Sequence, residues 1–407
     1  MGLNAVQPID ASLGEVVKAP YVPPVPLTRG QKVKRWFRKY FLEGQHLDDE
    51  AEGQLHSLPE NPTWEDLIFI KYRKFVAMLI PFAFMQIIWW MLAIRYNFFQ
   101  WYPDYWHMPV TMALGSFVGG MTSEGSGAVA FPVMTLALHI NPQIARDFSI
   151  MIQSCGMTSA LMCVIFMKVK FEHRAVILGT IGAIPGFIIG VHFVDPLFTG
   201  PQKKMLFVSI WTAFAIALAI LNSQKRTTYK EIPDFCFYKG FILVVTGFVG
   251  GVFDAFAGSG IDICIFAIVT LLFRVTEKTV TPTTVVLKGI NAVFGFFYRA
   301  AMMGDISAMA WTYFSLSVPV SATVGPLGSF LGSHLHRQVV AAAVYILEAI
   351  ALIGFLLTKP TWQLIAIGGC IIFGGYIFFS GISRAGLNIM NTVEEKKKKA
   401  QRENTTV

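Results

Sequence analysis

Two short motifs rich in glycine and serine carry the most informative chemistry in this sequence. Each reads Val-Gly-Gly, then a spacer with an acidic residue, then Gly-Ser-Gly, and the second follows the first after about 131–133 residues. They end in Gly125-Ser126-Gly127 and Gly258-Ser259-Gly260. Glycine lets a solute approach the backbone closely, and serine adds a hydroxyl group. A single motif of this kind is typical of close helix packing, whereas its repetition at corresponding places favours a solute-binding site.

Polar side chains inside apolar segments are the second signal, because burying them in a membrane is costly. Lys288 and Asn291 are three residues apart, so they share one face of a helix. Lys288 can offset the charge of an anionic solute, or its ammonium group can extend to the nearby surface. Gln153 lies at a similar depth in the earlier part of the chain. It can donate to the same solute or make a hydrogen bond between helices.

Three acids lie beside the motifs, namely Glu124, Asp254 and Asp262. They are candidates to carry a coupling proton or Na⁺, and they can equally cap the first turns of helices. The sequence contains no H-E-x-x-H, G-x-S-x-G or Walker pattern, and its five cysteines form no CxxC pair. We therefore predict no catalytic residues, no metal site and no cofactor, and a protein that is not an enzyme.

The composition places these residues in a membrane protein. Of the 407 residues, 54% are hydrophobic and 14% are charged, and the mean hydropathy is +0.55. Soluble domains usually carry about 25% charged residues, so this chain has too few to cover a soluble surface. The net charge of +8 does not indicate a nucleic-acid partner, because the basic residues cluster beside apolar segments and in the tail.

The predicted fold is all-α, a polytopic integral membrane protein with about eight full spans and two broken, re-entrant segments. The spans are expected at 75–94, 148–167, 175–194, 205–222, 283–301, 310–331, 339–357 and 362–383. The broken segments are 109–138 and 237–273, and each half of a segment is expected to hold only about 10–17 apolar residues.

The orientation follows from the basic residues. If both broken segments are hairpins, most Lys and Arg residues outside the spans fall on one side, which the positive-inside bias assigns to the cytoplasm, together with both termini. Three full spans then separate the hairpins, so they enter from opposite faces and the two repeats are inverted. Inverted repeats with broken helices are a recurring plan of secondary transporters. Each break also exposes N–H groups at the start of a half-helix, where an anion can bind.

We expect the chain to divide into six regions along its length. These are a cytoplasmic N-terminal region, partly disordered and with a basic amphipathic stretch at 31–42 (1–70), an extra span (71–107), repeat 1 (108–222), repeat 2 (237–357), a last span (362–383) and a basic cytoplasmic tail (384–407).

The pattern resembles the sulfite exporter TauE/SafE family, also called the 4-toluene sulfonate uptake permease family, over about 108–383. The resemblance rests on Gly125-Ser126-Gly127-Ala128 with Pro132, on Lys288, Asn291, Phe296-Phe297-Tyr298 and Gly304, and on Ile184-Pro185-Gly186 and Gly325-Pro326-Leu327-Gly328. It departs from the family in having Gly-Ser-Gly for a triple glycine, acids beside the motif, and an N-terminal extension with an extra span. The resemblance implies a transporter of sulfite, sulfonates or other small organic anions.

The functional prediction is a secondary transporter of a small anion, of the sulfite, sulfonate or other organosulfur or organic class. An anion channel on the same scaffold is the first alternative, and a membrane-embedded enzyme is the second. The expected partners are the anionic solute and the lipid bilayer, with a homo-oligomer as a further option and without nucleic acid.

Overall fold

The structure is a computed structural model, and it describes residues 29–42, 53–54, 62–122, 125–223 and 228–405. Within these ranges the regular elements are helices, apart from one isolated bridge between Tyr229 and Val275. The all-α prediction is therefore confirmed. The long apolar sequences form helices because lipid offers no hydrogen-bond partners, so each backbone group must pair within its own helix.

Thirteen α-helices of six or more residues organise the described chain, and some continue into a π-helical turn. They are α1 (Arg29–Phe41), α2 (Arg73–Tyr96), α3 (His107–Met121), α4 (Gly127–Pro132, continued by Val133–Ala137), α5 (Pro142–Phe166), α6 (His173–Ile189, continued by Gly190–Val194), α7 (Gly200–Ser223), α8 (Phe237–Ala257), α9 (Ile261–Ala267, continued by Ile268–Leu272), α10 (Glu277–Phe297, continued by Tyr298–Met303), α11 (Ala308–His334), α12 (Arg337–Leu357) and α13 (Trp362–Thr405).

Nine helices in the described chain are long and apolar enough to cross a bilayer. Eight of them are the predicted spans. The ninth is α8, the first half of the second broken segment, which has 21 residues. The expectation of two short halves is therefore wrong for this segment, and only its second half is short. The last span is also longer than predicted, since α13 has 44 residues, or about 66 Å at 1.5 Å per residue.

The two repeats pack against each other reciprocally. A β-carbon on Gly186 of α6 would lie 2.1 Å from the carbonyl oxygen of Phe248 in α8, and one on Gly328 of α11 would lie 2.2 Å from that of Phe117 in α3. Gly186 and Gly328 occupy corresponding places in the two repeats, and so do Phe117 and Phe248. The first helix of each repeat therefore packs on the fourth helix of the other, at equivalent residues.

The direction of the helices shows that the repeats are inverted. The corresponding helices α5 and α10 pack antiparallel, because Ile150 contacts Gly295 while Met157 contacts Gly289. Their neighbours follow in alternating directions, so each helix of repeat 1 runs opposite to its counterpart in repeat 2. The prediction of inverted repeats is confirmed.

Both broken segments are hairpins that enter and leave on one face. Before α8, the backbone at Tyr229 exchanges hydrogen bonds of 2.8 and 2.9 Å with Arg274 and Thr276, which follow α9. For the first hairpin, the ring of Tyr313 in α11 contacts both His107, where α3 begins, and Phe148, near the start of α5. Since α4 leads directly into α5, α3 and α4 open on this same face, opposite to the entry of the second hairpin.

The described ends of the chain lie on the entry face of the second hairpin. His336, which follows α11, donates its backbone N–H to the carbonyl of Tyr40 in α1 at 2.9 Å. Ser383 of α13 accepts a hydrogen bond of 2.8 Å from the guanidinium group of Arg274. From this contact α13 continues to Thr405, so its basic end projects beyond the membrane on that face.

Candidate functional site

The tips of the two hairpins meet inside the protein. A β-carbon on Gly127, at the start of α4, would lie 3.1 Å from the carbonyl oxygen of Gly258, at the end of α8. Gly258 has a φ of 73°, a left-handed conformation that glycine adopts without strain and that turns the chain toward α9. The structure thus brings together the two motifs that are 133 residues apart in the sequence.

Gln153 joins the two tips. Its amide Nε2 donates to the carbonyl oxygens of Ser149 at 2.8 Å and Gly258 at 2.7 Å. It also lies 2.5 Å from the position of a β-carbon on Gly127, so a larger residue there would displace it. The Gln153 side chain is completely buried and belongs to α5 of the first repeat.

Lys288 reaches the same point from α10 of the second repeat. Its ammonium group lies 2.7 Å from Asp254 Oδ1 and 3.2 Å from the carbonyl oxygen of Gly258. Lys288 is only 1% exposed, so the alternative in which its ammonium group extends to the surface does not hold. Gln153 and Lys288 follow residues of positive φ, His139 and Arg274, by the same 14 residues. They are equivalent side chains of the two repeats, and they converge on one carbonyl group.

The acids take different places around this point. Asp254 lies in the last turn of α8 and pairs with Lys288, and its carboxylate also accepts the backbone N–H of Ile261, the first residue of α9. Asp262, near the start of α9, accepts backbone N–H groups from Gly260 at 2.9 Å and Ile263 at 3.2 Å, and the hydroxyl group of Ser259 lies 3.0 Å from its Oδ2. Asp262 therefore does stabilise the first turn of a half-helix. Glu124 lies outside the described residues.

Ser126 and Asn291 differ in their relation to the site. Ser126 is buried at the tip of the first hairpin, and its hydroxyl group has no hydrogen-bond partner in the described ranges. The amide group of Asn291 donates to the carbonyl oxygen of Leu287 and to Thr180 of α6, at 2.8 and 3.1 Å. The hydrogen bond to Thr180 holds α10 against α6.

A network of ion pairs beside the tip of the second hairpin was not predicted from the sequence. Five of its members are buried and come from α5, the turn after α6, α7 and α10, while Asp305 in the loop after α10 is exposed. The members of this charge network pair at 2.6–2.9 Å: Arg146, Asp147, Asp195, Lys203, Arg299 and Asp305. Arg146 also donates to the carbonyl oxygen of Ala255 in α8, at 3.4 Å. These residues lie near span ends in the sequence, where charges usually face water. The adjacent Arg146-Asp147 pair, directly before the predicted span at 148–167, was the one available signal.

A cavity lies at the opposite end of the molecule, on the entry face of the second hairpin. It is bounded by the ends of α3 and α11 and by the first turns of α10 and α12, at Gly120, Gly332, Thr281 and Val340. The charge network occupies the other face. The hairpin tips therefore lie between a cavity on one side and a network of ion pairs on the other.

These features agree with a comparison against protein families. The family model described as sulfite exporter TauE/SafE matches residues 108–356, more than half of the chain. The chain belongs to the sulfite exporter TauE/SafE family. The matched part of this TauE/SafE protein includes both hairpins, Gln153 and Lys288, while α2 and α13 lie outside it. No curated protein and no solved structure matches the chain.

Membership of the TauE/SafE family settles the broad function. The chain is a multi-pass membrane transporter of a family described as sulfite exporters, and its nine candidate spans agree with that function.

Proposed function

We propose that this protein is a secondary transporter of a small organosulfur or organic anion, and that the anion binds between the hairpin tips. The observation that carries the proposal is the convergence of Gln153 and Lys288, equivalent residues of inverted repeats, on the carbonyl of Gly258 between the two breaks. A site at the junction of two inverted repeats is equally accessible, in principle, from either face.

The groups proposed to bind the anion come from both repeats. They are the Gly125-Ser126-Gly127 and Gly258-Ser259-Gly260 segments, Gln153 and Lys288. The buried hydroxyl group of Ser126 is a donor without a partner in the described chain. Helices that run from Gly127 to Ala137 and from Ile261 to Leu272 start at these segments, so their N-terminal dipoles favour a negative charge between them. Asn291 acts by holding α10 in place.

Lys288 already pairs with Asp254, which bears on how an anion binds. The pair is buried, and an incoming anion competes with the Asp254 carboxylate for the ammonium group. Binding therefore requires Asp254 to move or to lose its charge. Anion binding is then coupled to a conformational change in the second hairpin, and a carrier requires such a coupling.

The enclosure of the site favours a carrier over a channel. The charge network stands between the hairpin tips and one face, and it consists of buried ion pairs rather than a water-filled passage. Opening that face requires rearrangement of helices α5, α6, α7 and α10. We also propose that both termini are cytoplasmic, because the basic residues gather on the face where the described ends of the chain lie.

Anion flux into liposomes that contain the purified protein tests this function. Sulfite, sulfate, thiosulfate, taurine and small carboxylates are supplied in turn, with and without a pH or Na⁺ gradient. We expect saturable flux of an organosulfur anion, which excess unlabelled anion inhibits. Flux of none of these anions by folded protein contradicts the substrate class, and unitary currents without saturation identify a channel instead.

A further inference from the structure

Two buried oxygen atoms, one from each repeat, lie beside Gly125. A β-carbon on Gly125 would lie 2.7 Å from Gln153 Oε1 and 2.9 Å from Asp262 Oδ2. Gln153 and Asp262 are at most 1% exposed, and they come from α5 of one repeat and α9 of the other. The two oxygens therefore border the same point at the junction of the hairpins, which is open only because residue 125 has no side chain.

The orientation of the Gln153 amide group is fixed by its other contacts. Its nitrogen has two hydrogens, and both are used, since Nε2 lies within 2.8 Å of two carbonyl oxygens. The reversed amide would place its oxygen against both carbonyls, acceptor against acceptor. Oε1 is therefore the amide atom that lies beside Gly125, as Asp262 Oδ2 does, and it has no hydrogen-bond partner in the part of the chain that the structure describes.

Asp262 presents a second acceptor at the same point. Its Oδ1 accepts the backbone N–H groups of Gly260 and Ile263, which leaves Oδ2 as the oxygen toward Gly125. The Ser259 hydroxyl group can donate its single hydrogen to only one of the two carboxylate oxygens. An ionised Asp262 would therefore turn a negatively charged oxygen toward the uncompensated carbonyl oxygen of an amide.

The surrounding charges add a second argument. The ionisable groups near Asp262 in the described ranges are Lys288 of α10, Asp254 of α8 and the Cys264 thiol of α9. Residues 127–137 of the first hairpin have no charged side chain, and Arg146 and Asp147 of α5 pair in the charge network. Lys288 balances one carboxylate, at 2.7 Å. A second ionised carboxylate would leave one net negative charge deep in the membrane, which is costly.

We propose that in this conformation Asp262 carries a proton on Oδ2 and that this O–H group donates a hydrogen bond to Gln153 Oε1. The proton exchanges with solvent during transport. Asp262 is thus the coupling residue, while Asp254 is the counter-ion of Lys288 until the anion takes its place. An ionised Asp262 adds negative charge beside the anion site, so the anion binds better when the proton is present. The protein then moves the anion and the proton in the same direction. This inference rests on the proposed function.

The test compares the unaltered protein with Asp262→Asn, and with Asp104→Asn at an exposed position of the short helix Tyr102–Tyr105 as the matched control. Liposomes are assayed for exchange of labelled anion at equal concentrations on both sides, and for accumulation driven by a pH gradient. We expect the unaltered protein and the control to accumulate anion with the gradient and to exchange faster at lower pH. In Asp262→Asn, accumulation driven by the pH gradient is lost, and whatever exchange remains no longer depends on pH.

Infrared spectroscopy supplies a readout that does not depend on transport. The unaltered protein should show the C=O stretching band of a protonated, buried carboxyl group at neutral pH, and Asp262→Asn should lack it. Absence of the band from the unaltered protein overturns the proposal. The proposal is also overturned if a Na⁺ gradient alone drives accumulation of the anion and Na⁺ raises the melting temperature of the protein. Together these results indicate that a sodium ion, and not a proton, lies between the same two oxygens. If the unaltered protein exchanges none of the anions, the proposed function is wrong. The infrared band still shows in that case whether Asp262 is protonated.

Discussion

At the scale of single residues, Lys288 shows how its surroundings determine what a buried charge can do. Its charge is balanced by Asp254 at 2.7 Å, and the pair is almost completely buried. Breaking a buried ion pair by removing one partner leaves an uncompensated charge, whereas removing both partners often costs little. Stability and transport therefore respond differently to substitutions at this pair, which allows the structural and functional roles of Lys288 to be separated.

We predict that Lys288→Met abolishes anion flux and lowers the free energy of unfolding by about 3–5 kcal/mol. The double variant Lys288→Met/Asp254→Asn should recover most of that stability but not the flux, because the cation at the site is still absent. Thermal unfolding in detergent and liposome flux are the two measurements, with Lys230→Met at an exposed position as the control. Normal flux in Lys288→Met would remove Lys288 from the proposed site.

At the scale of helices, glycines allow the two repeats to interlock. Between α6 and α8, and between α3 and α11, several contacts place a backbone carbonyl of one helix directly on a glycine of the other, as at Gly186 and Gly328. Without a strong hydrophobic force between helices in lipid, such close backbone approach is a main source of association. The same contacts attach each hairpin to the opposite repeat, so these surfaces must slide or separate together when the hairpins move.

We expect Gly186→Ala and Gly328→Ala to destabilise the protein to a similar extent, because each new methyl group meets a carbonyl oxygen at 2.1–2.2 Å. Overpacking of this kind costs about 1–3 kcal/mol. Gly369→Ala in α13 is the matched control, since no atom lies within 4 Å of its new methyl group. The measurement is the melting temperature of each purified variant. If Gly186→Ala melted like the control, α6 and α8 would not pack as described.

At the scale of the whole molecule, two inverted hairpins divide the protein into a face with a cavity and a face with a charge network. The cavity lies on the side of α1 and the basic end of α13, and the network lies on the side of the loop between α12 and α13. If the first face is cytoplasmic, the structure represents an inward-facing state. The network must then open for the anion to reach the other side.

The orientation is tested with two tags in sealed membrane vesicles of known orientation. One tag follows the C-terminus, and the other is inserted at Thr361 in the loop before α13. We predict that a protease added on the cytoplasmic side removes the C-terminal tag and leaves the loop tag intact, because Lys and Arg are retained on that side. The reverse pattern would show that the cavity faces away from the cytoplasm. Removal of both tags in intact vesicles would contradict the number of spans.

The amino-acid sequence by itself determined the class of the fold, the eight simple spans, the two breaks and the inverted repeat, because hydropathy, glycine motifs and the positions of Lys and Arg are local properties of the chain. It also selected Gln153 and Lys288 correctly as a pair at equivalent depth. The length of α8 was not predictable, since the Gly250-Gly251 pair reads as a break but remains inside the helix. Only the tertiary structure paired Lys288 with Asp254, turned Asn291 toward α6, and placed Gln153 Oε1 and Asp262 Oδ2 beside Gly125. These outcomes depend on which side chains of distant helices meet, and sequence spacing does not contain that information.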